Sequence, residues 1–239
     1  TALNLVYIVF FLSQLTYLFS AFANKLPEMM TYAEYARRGF FELCTVAGIN
    51  LAVITAAHFF VKREKTKVLP IETVALCIFT LLLIITAISK MVMYIDVYGL
   101  TQLRVYTTWF MFLLFFVFTV IAFRQFKQFN ATKTLLIGFV LLFLVLSYGN
   151  IDGLIAAYNI DRYKSGTLES LDVNALAGLS EAAVPYMYEL YLETPDQNLK
   201  AELKEAIKAA SEERVAVQKT FRDFNLQSYT AENIRKMLN

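Results

Sequence analysis

Residues 110–123 and 135–147 show almost no polar face on any helix they could form, and a helix at the surface of a water-soluble protein needs one. A soluble bundle is therefore a poor description of this chain. Apolar runs near or above the ~18–20 residues that cross a bilayer recur along it. We read five spans: residues 3–23, 39–61, 69–94, 103–123 and 135–148. The fifth is short. It either begins earlier, near Thr132, or continues through Asn150 as an amphipathic extension. Of the 239 residues, 58% are hydrophobic and 18% charged, against about 25% charged in soluble domains. The implied fold class is all-α: a polytopic transmembrane helix bundle of about five spans, followed by a small helical C-terminal region.

The first run, residues 3–23, lacks a basic flank and is long for the core of a signal peptide, so it reads as a span. The chain has no initiator Met and begins almost inside that run, as a processed protein or part of a longer one would. Cys44 and Cys77 fall in different spans at depths about 15 Å apart. A disulfide needs Cα atoms within about 7 Å, so both read as small packing residues.

Short loops orient the bundle. Residues 62–67, with Arg124, Lys127 and Lys133, carry seven basic residues against one acid. The opposite loops, 24–38 and 95–102, balance Lys25, Arg37 and Arg38 against Glu28, Glu34 and Asp96. The positive-inside rule then places the first set in the cytoplasm and the long tail outside.

The tail is different material. From Ile151 on it holds ten basic and fourteen acidic residues, a net of −4, whereas residues 1–150 carry a net of +6. We accordingly divide the chain into a transmembrane bundle, 1–150, and an extramembrane helical domain, 151–239. Within the tail, Thr194-Pro195-Asp196-Gln197 reads as a helix start, with Thr194 as cap and Gln197 completing a capping box. Leu199, Leu203 and Ile207 form the apolar stripe of the helix that follows. Pro185 sits in the first turn of a helix running to about Leu192, and Thr230 reads as the cap of a last short helix.

The polar residues of the spans gather near one membrane face. Glu34, Arg38 and Glu42 follow at intervals of four and Thr45 comes three later, which makes one stripe on a helix. Arg37 lies beside it. Lys90 lies near the same end of its span, Arg104 opens the next, and Asp96 is in the loop between. Asn150 and Asp152 close the fifth. This layer is a candidate polar pocket, with Glu42 pairing with Lys90 or Arg38, and Arg104 with Asp96 or Asp152. The bland alternative is that Lys90, Arg38 and Arg104 snorkel to headgroups, or that the stripe is structural glue worth ~1 kcal/mol per contact. Asn50 is deeper and about 80° around the helix from Glu42, so it meets a different neighbour. His58 is the lone histidine, which argues against a metal there. No phosphate loop, zinc-protease motif or nucleophile elbow is present, and no cofactor or nucleic-acid partner is implied.

Tyr-Ala-Glu-Tyr-Ala-Arg-Arg-Gly-Phe-Phe-Glu-Leu (residues 32–43) resembles the signature of bacterial multi-pass membrane proteins grouped as domain of unknown function 4173, with a related group numbered 4153. Tyr98-Gly-Leu-Thr with Arg104 is similar to a second stretch of that family. Asn150-Ile-Asp-Gly-Leu-Ile-Ala-Ala-Tyr-Asn-Ile-Asp-Arg, which contains Asn159 and Arg162, is similar to a third, and residues 179–185 to a fourth. The resemblance implies an integral protein of a bacterial cytoplasmic membrane, with further spans upstream in longer members. It implies no reaction.

Three functions stay open. The first is a non-enzymatic sensor, assembly or transport-accessory component, with other membrane subunits or an N-terminal half of the same protein as partner. The second is a membrane-embedded enzyme acting on a lipid-linked or envelope substrate, with Glu42 or Asp152 as base and Arg38 and Arg104 on phosphate. The third is a transporter lined by Arg38, Glu42, Thr45 and Asn50. Partners common to these are the lipid bilayer and a bound lipid.

Overall fold

The computed structural model describes residue 9 and residues 30–60, 68–212 and 226–238. The first expected span, 3–23, and the basic loop 62–67 lie outside the described residues. Among those described there is no strand. Four helices are long and apolar enough to cross a membrane: α1 (Tyr32–Phe60), α2 (Val68–Tyr98), α3 (Gln102–Phe126) and α4 (Ala131–Tyr148). The helix is the form such runs must take, because lipid offers no partner to an unpaired backbone N–H or C=O. Smaller helices follow: α5 (Ile151–Lys164), α6 (Val173–Ala177), a 3₁₀ turn (Glu181–Ala183), α7 (Val184–Glu193), α8 (Gln197–Glu212) and α9 (Leu226–Leu238). The chain is thus a multi-pass membrane protein with a helical C-terminal region.

Short polar residues start these helices. The Thr31 hydroxyl accepts the Glu34 N–H at 3.2 Å at the head of α1. Asn130 accepts the Lys133 N–H at 3.0 Å, and α4 begins at Ala131, so of the two alternatives for the short fifth span the earlier start holds and the continuation through Asn150 does not. Asp172 accepts the Ala175 N–H at 2.9 Å before α6. Two expected starts are corrected. Asp196, not Thr194, caps α8, taking the Asn198 N–H at 2.9 Å, and Pro195 stays outside the helix. The carboxylate two residues closer to the apolar stripe wins the cap. Thr230 lies inside α9 rather than at its start, because α9 already begins at Leu226. Gln227 donates to Asn150 at 3.1 Å and Ser228 donates to Glu181, and those contacts hold the earlier turn helical.

Two compact units divide the chain. The first, Thr1–Val97 with Tyr106–Val145, is the transmembrane bundle. On α1 a seam of Ala36, Gly39, Leu43, Ala47, Asn50 and Ile54 is buried. It packs with Leu76, Cys77, Ile84, Ala87 and Met91 of α2, and with Met111, Leu114 and Phe118 of α3, in one core. Three of the six seam positions on α1 are Ala or Gly, which lets backbones approach where lipid and side chain are equally apolar. Helix α4 buries no residue. It is held to α3 by the Trp109 indole donating to the Leu142 carbonyl at 2.9 Å, and by Gly138, where an added methyl would run into the Phe116 ring. Both cysteines are free thiols.

The second unit comprises Tyr98–Val105 and Leu146–Asn239. Its core joins Ile155 and Ile160 of α5, Leu176 of α6, Val184, Met187 and Leu190 of α7, Leu203 and Ile207 of α8, and Ala231 and Ile234 of α9. Lys164 ties α5 to α7, at 2.7 Å from Glu193 and 3.2 Å from Glu189, and the Glu193 hydrogen bond holds its ammonium above the ordinary lysine range. Residues 98–105, the loop from α2 with the first turn of α3, belong to the same compact unit as the tail.

Candidate functional site

The thirteen candidate residues fall into two groups, one in each unit. In the transmembrane unit, Glu34, Arg37, Arg38, Glu42 and Thr45 are all exposed, because the seam of α1 is the stripe one residue around from theirs. Of the two partners expected for Glu42, the structure supplies Arg38, one turn away at 2.9 Å. The Thr45 hydroxyl donates to the Phe41 carbonyl of its own helix at 3.0 Å. Asp96, near the end of α2, is exposed.

Lys90 is placed differently. It is only 3% exposed. Its stem lies against Gly39, where an added Cβ would come within 2.7 Å of Cδ, and its ammonium stands 4.7 Å over the Tyr35 ring. Tyr35 is itself fully buried. A cation over an aromatic face in a dry site is worth ~2 kcal/mol. Gly39 thus makes room for a long side chain, and the sequence Tyr35-x-x-x-Gly39 on α1 forms a seat for Lys90 of α2. Arg38 and Glu42 lie within electrostatic reach of that ammonium.

Asn50 points into the seam. Its amide donates to the Thr80 hydroxyl at 2.7 Å, and that hydroxyl donates in turn to the Leu76 carbonyl at 2.8 Å. Both side chains are fully buried. Thr80 was not among the sequence candidates. A signal existed: counted inward from the expected outer ends at residues 39 and 94, Asn50 and Thr80 lie at similar depth.

In the C-terminal unit, Arg104, Asp152 and Asn159 converge on residues 98–102, where α2 gives way to α3, while Asn150 and Arg162 serve other turns. Asn159, 9% exposed, grips Leu100 with both ends of its amide, accepting from the N–H at 2.7 Å and donating to the C=O at 2.8 Å. Gly99 lies beneath it with φ of 74°, in the left-handed region, and an added Cβ there would sit 2.6 Å from the Asn159 amide oxygen. No other residue suits that position, on backbone or space. The Arg104 guanidinium donates to the carbonyls of Tyr98 and Gly99, at 2.9 Å to Tyr98, rather than to Asp152. Asp152 accepts from Gln102 Nε2 at 2.6 Å through one oxygen and from the Ser180 N–H at 3.0 Å through the other. Asn150, at φ 46°, turns the chain from α4 into α5. Arg162 donates to Tyr158 and to the hydroxyl and carbonyl of Thr167, closing the loop after α5.

A cavity of about 260 Å³ opens beside this cluster, with Asn159, Gln102 and Thr101 as its polar lining and Leu100, Ile155 and Leu176 among its apolar walls. No charged side chain lines it. Sequence reasoning missed Glu181, which is 7% exposed. Its carboxylate accepts from Ser228 and lies 3.5 Å from Arg235. An acid in the apolar run Ala-Ala-Val-Pro is the signal that could have found it, because a buried charge requires a partner. No group of three or more His, Cys, Asp or Glu is arranged to hold a metal ion among the described residues.

Comparison with known proteins gives a family and nothing finer. No curated protein and no solved structure matches the chain. The family model described as Domain of unknown function (DUF4153) matches residues 1–190. That match covers the transmembrane unit and runs through α5 and α6 into α7, so the chain belongs to the DUF4153 family.

Proposed function

We propose that this protein is a non-catalytic membrane component, whose transmembrane unit anchors an extramembrane helical domain that meets its partner. One observation carries this reading: the side chains best suited to chemistry are engaged in holding backbone or each other. Asp152, the candidate base, has both carboxylate oxygens taken, by Gln102 and by the Ser180 N–H. Arg104, the candidate phosphate binder, is turned onto the carbonyls of its own loop. Glu42 is tied to Arg38. A general base needs an accessible lone pair aimed at a substrate proton. Among non-catalytic roles, sensing has its own support in the uncharged cavity beside Asn159, which suits a neutral, largely apolar small molecule.

We propose that the C-terminal domain is extracytoplasmic, which the charge asymmetry of the loops supports, and that the membrane is a bacterial cytoplasmic one, which the motif resemblance supports. The same motifs resemble the group numbered 4173, while the matching family model is that of DUF4153. We propose that the two groups share this fold.

The test is purification of the full-length protein from its native membrane in mild detergent. A partner is expected to copurify and to be lost when the C-terminal domain is removed. Glu42→Gln and Asp152→Asn variants that stay abundant but lose all function in the host would instead establish the enzymatic reading. Labelling of single cysteines in residues 62–67 from outside intact cells would reverse the orientation.

A further inference from the structure

Three polar side chains line the cavity of the C-terminal unit, and each keeps a hydrogen-bonding group that the protein does not use. Asn159 is 9% exposed. It spends its oxygen and one N–H on the Leu100 backbone, and an asparagine amide carries a second N–H. The Thr101 hydroxyl accepts the Arg104 N–H at 3.4 Å, and among the described residues its own O–H has no acceptor. Gln102 gives Nε2 to Asp152 at 2.6 Å, and among the described residues its Oε1 receives no donor. Polar groups left unmet in a half-buried site are a cost unless water or a ligand meets them. Gly178, exposed, stands at the rim of the same cavity. Its backbone, at φ −75° and ψ −6°, is one that any residue adopts. A Cβ built there meets nothing closer than the Ala175 carbonyl at 3.6 Å. Neither strain nor crowding calls for this glycine, and its lack of a side chain leaves the rim open.

We propose that the cavity binds a small uncharged carboxamide, a ligand class that deepens the sensing role proposed above and rests on it. The open groups are two donors, the Thr101 O–H and the Asn159 N–H, and one acceptor, Gln102 Oε1. A carboxamide presents the complement: a carbonyl oxygen with two lone pairs, and an N–H. An alcohol has one oxygen for all three positions. An ion is excluded by cost. No charged side chain lines the cavity, so a carboxylate or an ammonium loses its hydration there with no counter-charge. Ile155 and Leu176 offer the apolar wall for an aliphatic body. The volume of about 260 Å³ falls short of the ~300 Å³ at which drug-sized sites begin, which keeps the ligand small. The walls come from residues 100–103, from α5 and from residues 175–179, so an occupant joins three stretches of chain and stabilises their contact.

The experiment titrates pentanamide, pentanoate and pentylammonium, three probes of one length, into the full-length protein in lipid nanodiscs. Hydrogen exchange is read at residues 98–105 and 173–180. Pentanamide is expected to slow exchange there saturably, and to bind at least tenfold more tightly than either ion. Thr101→Val removes one donor and should weaken pentanamide binding by up to roughly tenfold. Gly178→Phe, which the backbone admits, should abolish the response while exchange elsewhere stays native. Equal protection by all three probes, protection spread over the whole chain, or none at all overturns the proposal, the last leaving a cavity that holds only water. An undiminished response in both variants overturns it too. The partner copurification described above is run with and without pentanamide. Saturable binding that leaves partner recovery unchanged supports the site and removes its sensing role. Absence of binding overturns the site whether or not a partner copurifies.

Discussion

The two units use the same polar residue types to opposite ends. In the C-terminal unit, carboxylates, amides and guanidinia turn inward and bind backbone: Asn159 holds Leu100, Asp152 holds Ser180, Arg104 holds Tyr98 and Gly99. In the transmembrane unit, among the described residues, Lys90, Asn50, Thr80 and Thr86 are turned inward, while Arg38, Glu42 and Thr45 are exposed. The difference follows from solvent. A domain outside the membrane, as we propose for the C-terminal unit, has a polar surface available anyway, so a polar group can be brought inside to fix a loop. A membrane helix has no such surface, so an outward polar group is a cost unless something covers it.

The largest expected effect tests the inward half of that contrast. Glu181→Leu leaves the Arg235 guanidinium, already carrying a buried Nε without a hydrogen-bond partner, beside an apolar side chain. Removing one member of a buried ion pair costs about 3–5 kcal/mol. Arg235 retains some exposure, which favours the lower end. Hydrogen exchange should show α9 losing protection while α1–α3 keep theirs. Replacing both, Glu181→Leu with Arg235→Met, should recover most of the loss. If the single variant exchanges like the native protein, the pair is not what seats α9.

Asn159→Leu comes next. It leaves the Leu100 N–H and C=O both without their partner in a half-buried loop, at about 1–3 kcal/mol for each group left unsatisfied. Gly99→Ala attacks the same point from below, through both its positive φ and the clash with Asn159, and should cost about 1–3 kcal/mol. Thermal unfolding of the C-terminal unit measures each. The two should not add, because each disrupts the same loop–helix contact.

Within the bilayer, smaller effects are expected. Asn50→Leu removes an interhelical hydrogen bond, but the Thr80 hydroxyl still donates to Leu76. Such bonds average about 0.6 kcal/mol, because the separated helices find other partners in the membrane. Thr80→Val should cost more than Asn50→Leu, since it takes an acceptor from a fully buried amide. Steric-trap or SDS titration gives the order, and the reverse order would mean that Thr80 is held mainly by its own helix.

Much of this was legible in the sequence, and the failures share a cause. Apolar runs gave α1–α4 because length and composition alone satisfy the bilayer. Periodicity showed that Glu34, Arg38, Glu42 and Thr45 share a face, but not which way the face points. That is decided by the competing stripe of Ala36, Gly39, Leu43 and Ala47, whose small residues fit α2 and the Lys90 stem. Glu42 was expected to meet Lys90 or Arg38; it pairs with Arg38 at 2.9 Å and lies within electrostatic reach of the Lys90 ammonium. The Thr194 and Thr230 caps failed for the same reason: a local signal is outvoted by a better carboxylate at Asp196, or by the distant contacts of Gln227 and Ser228. Glu181 was passed over because its partners, Ser228 and Arg235, lie some fifty residues away in sequence.

The smallest expected effect is the most discriminating. Arg38 and Glu42 are both about half exposed, and a pair at i and i+4 on an uncovered helix contributes about 0.3–0.5 kcal/mol. Glu42→Gln should therefore leave the unfolding of the protomer almost unchanged. If the outward face of α1 meets another helix, the same substitution weakens that association far more than it weakens the fold, because an uncompensated Arg38 must then be enclosed between helices. Measuring both on one variant separates the possibilities. A loss confined to association makes the stripe an interface. A loss in the protomer of more than about 2 kcal/mol, well beyond what an exposed pair contributes, would mean that Glu42 stabilises the protomer itself, through the nearby Lys90 ammonium. The polar residues of α1 would then act as those of the C-terminal unit do, and the contrast between the units would fail.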